Sequence, residues 1–298
     1  MRPLVSVIVP LYNSAGCMLP TVRAILMQDY PHLELLLVDD GSTDSTPQLA
    51  QALARRDQRV RFWRKPNAGV ASARNYALAR ARGELVALCD HDDLWLPERL
   101  SAQVPLFEQE GVGLVYSDVL VEHRGRLKLR EQRLWCEGWC LEKLVEYNFI
   151  PSCSVLVRRE ALEEAGGFEE HRDLAGVDDK LAWIRIARRW QIRAVRRVLA
   201  VHTIAGRNYS LKMRRMLVAE LTCLALAAQE VQQDNPRHIQ ALRRGLRRVL
   251  VDYGLGLILS GDPVVGRWAL KEAWRRGARD AEVVWGMVRS FLPQLRVV

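Results

Sequence analysis

The amino-acid sequence predicts an α/β fold: a mostly parallel central sheet with helices on both faces, followed by a helical C-terminal region. Three observations carry it. Short β-branched runs alternate with helical stretches through about residue 110. Polar or acidic clusters follow directly on three of those runs. Beyond Leu211 the strand signals stop and only helical periodicity continues.

The first run, "LVSVIVPLYN" (Leu4 to Asn13), is β-branched and punctuated by Pro10, which reads as a buried strand. "ELLLVDDGSTDST" is a second strand, Glu34 to Asp39, running into turn residues. Ser42, Thr43 and Asp44 are candidate caps for the helix that follows, through about Arg56. "RVRFWRK" is a short third strand, and "NAGVASARNYALARARG" a helix opened by Asn67 and closed by Gly83. "ELVALCD" is a fourth strand. Strand and helix alternating at this pace give βαβ units and parallel strands.

In such sheets ligands bind beyond the carboxyl ends of the strands. Pro10, Tyr12 and Asn13 follow the first strand, Asp39 and Asp40 close the second, and Asp90, Asp92 and Asp93 follow the fourth. Parallel strands put all three groups on one edge. Like charges crowded there call for a cation, and hard carboxylate oxygens suit Mn²⁺ or Mg²⁺, which also bind phosphates. Asp90 and Asp92, two apart, point the same way in extended geometry. Asp93 or Asp92 is read alternatively as a cap of the helix starting near "LPERL".

Composition is that of a soluble globular protein: 298 residues, 49% hydrophobic and 27% charged. The net charge of +9 is uneven, because 15 basic and 8 acidic residues from Lys212 onward carry +7 of it. Such a tail points to an anionic partner, a lipid surface before a nucleic acid, since no nucleic-acid-binding module accompanies it. The segments 213–232, 237–260, 263–277 and 280–291 read as helices. Leu242, Leu246, Val249, Leu250, Tyr253 and Leu257 form one apolar face, flanked by Arg243, Arg244, Arg247 and Arg248 with little acid nearby in sequence. Trp268, Trp274, Trp285 and Phe291 add aromatics, as expected of an interfacial surface. The six cysteines are scattered. Cys17, Cys89 and Cys153 read as core residues, and His123, Cys136 and Cys140 lack the second ligand pair of a zinc site. With no leader and no spanning run, the expectation is a cytoplasmic protein, peripheral on the inner face of the cell membrane.

The motifs "VSVIVPLYN", "LLLVDDGSTDST", "NAGVASARNYALARARGELVALCDHDD", "SCSVLVRREALEEAGGFEE" and "GVDDKLAWIRIARR", in that order, resemble the family 2 glycosyltransferases of the GT-A fold. The resemblance covers about Leu4 to His202. It implies an inverting, metal-dependent transferase that moves one sugar from a nucleotide sugar, with UDP favoured, to the hydroxyl of a carbohydrate or lipid-linked acceptor in cell-surface polysaccharide or glycolipid synthesis. It also implies domains: a catalytic one over 1–211, with a nucleotide-sugar half to about 110 and an acceptor half beyond, and a helical extension over 212–298.

Residue by residue, the resemblance puts Pro10 and Tyr12 at the nucleobase, Asp40 on the base's hydrogen-bonding edge, and Arg74 near the nucleotide. Asp90 and Asp92 match the D-x-D pair, Asp90 for ribose and metal and Asp92 for metal, with His202 matching a histidine near the diphosphate or metal. Asp178 and Asp179 match the later catalytic acid pair, with Asp179 the base and Asp178 replacing the usual Glu. Asn148, Ser152 and Trp183 fall on the acceptor side. Lys180 and Leu181 depart from the pattern, and Arg189-Trp190 lacks the Gln of the processive synthases' box, which gives a single-addition reading. A non-catalytic nucleotide-sugar-binding protein of the same fold is the alternative, distinguished by binding without turnover.

Overall fold

The computed structural model describes residues 2–130, 134–204, 212–231 and 235–290. Leu211, at the expected boundary, and Phe291 lie outside the described residues. The chain divides into two compact units. The first comprises Met1–Leu141, Asn148–Glu170 and Asp178–Ala205; the second comprises Glu142–Tyr147, His171–Val177 and Gly206–Val298.

The first unit is built on a nine-stranded mixed sheet. Its strands are β1 (Val5–Leu11), β2 (Leu33–Asp40), β3 (Val60–Lys65), β4 (Leu85–Leu88), β5 (Leu94–Trp95), β6 (Val112–His123), β7 (Arg126–Leu129), β8 (Leu156–Arg158) and β9 (Gln191–Thr203). The order is β3-β2-β1-β4-β8-β6-β9-β5, with β7 pairing β6. β3, β2, β1 and β4 run parallel, β4 meets β8 antiparallel, and β6 and β9 are parallel. Every residue of β1 and β2 is buried, as befits central parallel strands. Each buried Val, Leu or Ile there contributes about 1.5–3 kcal/mol, so a register slip is strongly disfavoured.

Between the strands lie α1 (Met18–Leu26), α2 (Thr46–Arg56), α3 (Val70–Leu78), α4 (Arg99–Gln103), α5 (Leu141–Glu146), α6 (Arg159–Glu164) and α7 (Asp178–Ala187). Of the expected caps, Asp44 accepts from the Thr46 N–H at 3.0 Å at the start of α2, while the Ser42 hydroxyl accepts from the Asn13 N–H and ties two strand ends together. Gly166 and Gly167 close α6 in the left-handed region, Gly167 N–H reaching the Leu162 carbonyl.

Three local expectations are corrected. Asn67 does not open α3; its amide donates to the Asp40 carbonyl, and Gly69, at φ 98°, turns the chain into the helix. Gly83 does not close that helix, which ends at Leu78. It lets the backbone pass so near β1 that a Cβ would lie 2.6 Å from the Leu4 carbonyl. Neither Asp92 nor Asp93 caps α4, whose N-cap is Glu98.

The second unit is dominated by α8 (Met213–Glu230), α9 (Pro236–Leu259), α10 (Pro263–Arg275) and α11 (Ala281–Arg289). Gly254 and Gly266 let α9 and α10 approach closely, a Cβ on Gly266 falling 2.7 Å from the Gly254 carbonyl. The apolar stripe of α9 turns inward, with Val249, Leu250 and Leu257 buried. The arginines beside it are not the unpaired patch that local sequence implies. Arg244 pairs with Glu146, Arg248 with Asp252 at 3.3 Å while stacking over Tyr147, and Arg247 lies 3.9 Å from Asp280. Glu146 is 98 positions from Arg244, which is why the pairing is invisible in sequence.

Candidate active site

The carboxyl ends of β1, β2 and β4 form one edge, and the expected donor-side residues lie along it. Pro10 is buried within β1, whereas Tyr12 just beyond is 49% exposed. Asp40 ends β2 and is buried. Its Oδ1 accepts from Lys65 Nζ at 2.7 Å and Ala68 N–H at 3.0 Å, and its Oδ2 from Gly69 N–H at 2.8 Å. One of four lone-pair positions, on Oδ2, is left. Asp39 is fully buried beside Arg64 and accepts from Ser42 N–H.

Arg74, expected near the nucleotide, is enclosed beside Asp90, the acid expected at the ribose and metal. It is only 4% exposed. Its Nη2 binds Asp90 at 2.9 Å and its Nη1 binds Asp178 at 2.8 Å, with Ser152 Oγ 3.4 Å from Nη2. The guanidinium also sits 5.4 Å from the Phe168 ring centroid. The D-x-D acid after β4 and the acid pair opening α7 are therefore joined by one buried cation.

Asp90 is drawn below its ordinary range: burial opposes its charge, but Arg74, His91 and His202 together outweigh burial. Asp92 has no such ion pair among the described residues, and its pKa is pushed up to about 6 by burial and then by the neighbouring Asp93 and Asp90, against a smaller opposing pull from His91. Asp93 is fully buried. Its Oδ1 pairs with His202 Nδ1 at 3.1 Å and accepts from Thr203 N–H at 2.8 Å, because β5 pairs antiparallel to β9 with Leu94 opposite Val201. Sequence reasoning gave Asp93 no role beyond a cap. His202 is held above its ordinary pKa, burial opposing its charge but Asp93, with Asp90 and Asp92, overcoming that. Asp93, Cys153 and His202 offer ligand atoms that all lie within 4.8 Å of one another.

A divalent cation fits this set. Asp93 Oδ2 is buried with no hydrogen-bond partner, and Asp92 is left without a counter-ion among the described residues. Of the aspartates only Asp93 belongs to this group; Asp90 and Asp92, expected as the metal pair, lie outside it among the described residues and would add hard oxygens, which match Mn²⁺ or Mg²⁺, only from beside it.

On the other side, Asp178 is 3% exposed and bound to Arg74, whereas Asp179 keeps part of its surface open. The Asp179 pKa is raised to about 7, first by burial and then by Asp178. Its Oδ1 accepts from Lys180 N–H at 2.7 Å, and Asn148 Nδ2 approaches the same atom at 3.5 Å. Asn148 and Ser152 thus stand beside the acid pair and its arginine. Trp183 does not: it is fully buried, edge-on to Phe168 at 6.3 Å, and cannot touch an acceptor. Its place in the W-x-R pattern is a packing role, while Arg185 pairs with Glu169.

Comparison with known proteins agrees with this architecture. Residues 6–166 match the family described as Glycosyl transferase family 2. The putative teichuronic acid biosynthesis glycosyltransferase TuaG of Bacillus subtilis is 43% identical over 104 residues, 35% of this chain and 41% of that protein. The Escherichia coli UDP-Glc:alpha-D-GlcNAc-diphosphoundecaprenol beta-1,3-glucosyltransferase WfaP is 36% identical over 121 residues, 40% of this chain and 47% of that protein. The chain spans less than half the length of these curated relatives. Among solved structures, the mannosyltransferase PcManGT of Pyrobaculum calidifontis, in complex with GDP-Man and Mn²⁺, superposes with a TM-score of 0.67 at 24% identity, over 97% of this chain and 79% of that one. S. aureus TarS 1-349 in complex with UDP-GlcNAc gives 0.62 at 18% identity, over 92% of each chain. The shared fold is the GT-A-like mixed sheet, and the match over more than half its length makes this chain a member of glycosyl transferase family 2.

Proposed function

We propose that the chain is an inverting, metal-dependent glycosyltransferase that moves one sugar from a UDP-sugar to an acceptor hydroxyl in cell-surface glycan synthesis. The observation that carries this reading is the Arg74 bridge, which brings Asp90 and the Asp178–Asp179 pair to one edge of the sheet. Uridine is favoured because WfaP is named for UDP-Glc and TarS binds UDP-GlcNAc, although PcManGT binds GDP-Man. In this reading Tyr12 stacks on the base, Pro10 borders it, and the remaining lone pair of Asp40 Oδ2 accepts from the base N–H. Asp90, Asp92 and His202 would hold Mn²⁺ or Mg²⁺. When bound, the ion supplies Lewis-acid stabilisation of charge on the departing diphosphate. Asp179 Oδ2, the oxygen not occupied by Lys180 N–H, takes the proton of the acceptor hydroxyl as it attacks. A base held at about 7 is matched to that task near neutral pH. Incubation with a panel of nucleotide sugars and Mn²⁺, followed by NMR of the anomeric configuration of the product, tests the reading. Failure to turn over any donor, or retention of configuration, defeats it.

The acceptor is proposed to be lipid-linked, reached at the inner face of the cell membrane through the second unit. No helix among the described residues is long and apolar enough to cross a membrane. Val264 and Trp268 on α10, and Val284, Trp285 and Val288 on α11, are between 42% and 69% exposed. Arg267, Lys271 and Arg275 lie on α10 and Arg276 at its C-cap, and the helix's one acid, Glu272, pairs with Arg275 and Arg276, so the segment stays net basic. Co-sedimentation is therefore expected with anionic vesicles and to fall with salt, each basic residue near such a surface contributing about 1 kcal/mol. Because three of the α9 arginines are paired, Arg243, Arg244, Arg247 and Arg248 changed together to Gln should weaken binding less than Trp268→Ser with Trp285→Ser. The reverse ranking, or equal binding to neutral vesicles, sinks this surface.

A further inference from the structure

We propose that Arg74 is a positioning residue that locks the donor-side acid Asp90 to the acceptor-side acid Asp178, so that Asp178 is a fixed counter-ion and Asp179 alone receives the proton. This rests on the transferase reading above for the role of Asp179, though the lock itself does not.

The geometry leaves Arg74 little else to do. Nη1 is taken by Asp178 and Nη2 by Asp90 and Ser152, the guanidinium leans on Phe168, and Nε is buried without a partner. Its remaining donors, Nε and the second Nη1 hydrogen, belong to a side chain only 4% exposed, so the guanidinium presents little surface to a diphosphate. Asp178, at 3% exposed, has no open face for an acceptor sugar. Asp179 follows it on α7, and successive helical side chains point about 100° apart. One carboxylate therefore turns inward to the arginine while the next turns toward the open edge.

Two acids on different elements share this cation, so its loss strands both. A buried ion pair broken on one side leaves an uncompensated charge, which is far worse than replacing both partners. A lysine cannot span two carboxylates as the guanidinium fork does. The charged groups that bear on Asp179 are Asp178 beside it, Arg74 behind that, and Asp90 beyond. Removing Asp178 should let Asp179 ionise at lower pH, and removing Arg74 should have the opposite effect.

The test uses the full chain as Arg74→Gln, Arg74→Lys, Asp178→Asn and the double variant Arg74→Gln/Asp178→Asn. In thermal unfolding, Arg74→Gln is expected to lose more stability than the double variant, because the second change removes the stranded acid. Additive losses would overturn the lock. In transfer assays, Asp178→Asn should lose less than about 10²-fold, the lower end for removing a general base, and its acid limb should move to lower pH. Arg74→Lys should lose about 10²-fold in kcat through misplacement, with little change in donor KM. A selective rise in donor KM would mean that Arg74 contacts the nucleotide, and an Asp178→Asn as inactive as Asp179→Asn would place Asp178 at the reacting atoms; either overturns the proposal. A wild-type chain that transfers no sugar defeats the transferase reading instead, and the unfolding cycle still decides the lock.

Discussion

Asp179→Asn is expected to lower turnover by about 10²–10⁴-fold while donor binding stays at the wild-type level. Asparagine keeps the shape and the Oδ1 acceptor that holds Lys180 N–H at 2.7 Å, but it cannot take a proton from a hydroxyl. In the wild type, transfer should rise with pH through about 7, where Asp179 gives up its proton. Single-turnover rates against pH, with donor affinity measured by calorimetry, check both parts. If Asp179→Asn turns over normally, the base has been misassigned.

The same substitution should stabilise the fold. A carboxyl held at about 7 rather than its ordinary 3.8 ionises less readily in the folded chain than in the unfolded one. Between those values the unfolded state releases its proton first, so stability falls as pH rises from about 4 to 7 and the penalty is complete above 7. At about 1.4 kcal/mol per pKa unit the penalty is at most about 4 kcal/mol, reduced by solvent reaching the half-buried carboxyl. Asp179→Asn should therefore melt at the same temperature as wild type near pH 4 and higher at pH 8. Loss of turnover with gain of stability marks an acid kept for chemistry. Loss of both would mark a structural one.

What the sequence made legible follows from how local each signal is. The βαβ rhythm, the strand ends at Leu11, Asp40 and Leu88, and the acids after them are contiguous in the chain, so periodicity and turn residues sufficed. Asp93 was not legible as the partner of His202, because that contact depends on β5 pairing with β9 in one register, 109 positions apart. Nor was the burial of Arg74, which depends on α3, the loop after β4 and α7 converging. Trp183 occupies the acceptor-side motif, yet its helix turns it into the core. Locally an exposed tryptophan and a buried one look alike. The α9 arginines read as unpaired for the same reason, their acids Glu146 and Asp280 coming from distant segments.

Chelation is expected to weaken UDP binding by about 10²-fold, the scale on which a divalent ion stabilises diphosphate charge. The ground for this lies in the acids themselves. Asp90 is offset by Arg74 and Asp93 by His202, but among the described residues Asp92 has no ion-pair partner, His91 easing its charge only in part. An incoming diphosphate would meet that negative charge at short range in a partly buried site, where screening is slight. A bound Mn²⁺ or Mg²⁺ would reverse the sign of the field, so protein and nucleotide should bind together only in its presence. Asp92→Ala removes the acid without a counter-ion and leaves the Arg74 bridge in place. It should bind UDP with much the same modest affinity in Mn²⁺ and in chelator. Calorimetry of wild type and Asp92→Ala under both conditions decides the matter. Equal wild-type affinities would show that the acids at this edge hold no metal for the nucleotide, and unchanged metal dependence in Asp92→Ala would move the ion elsewhere.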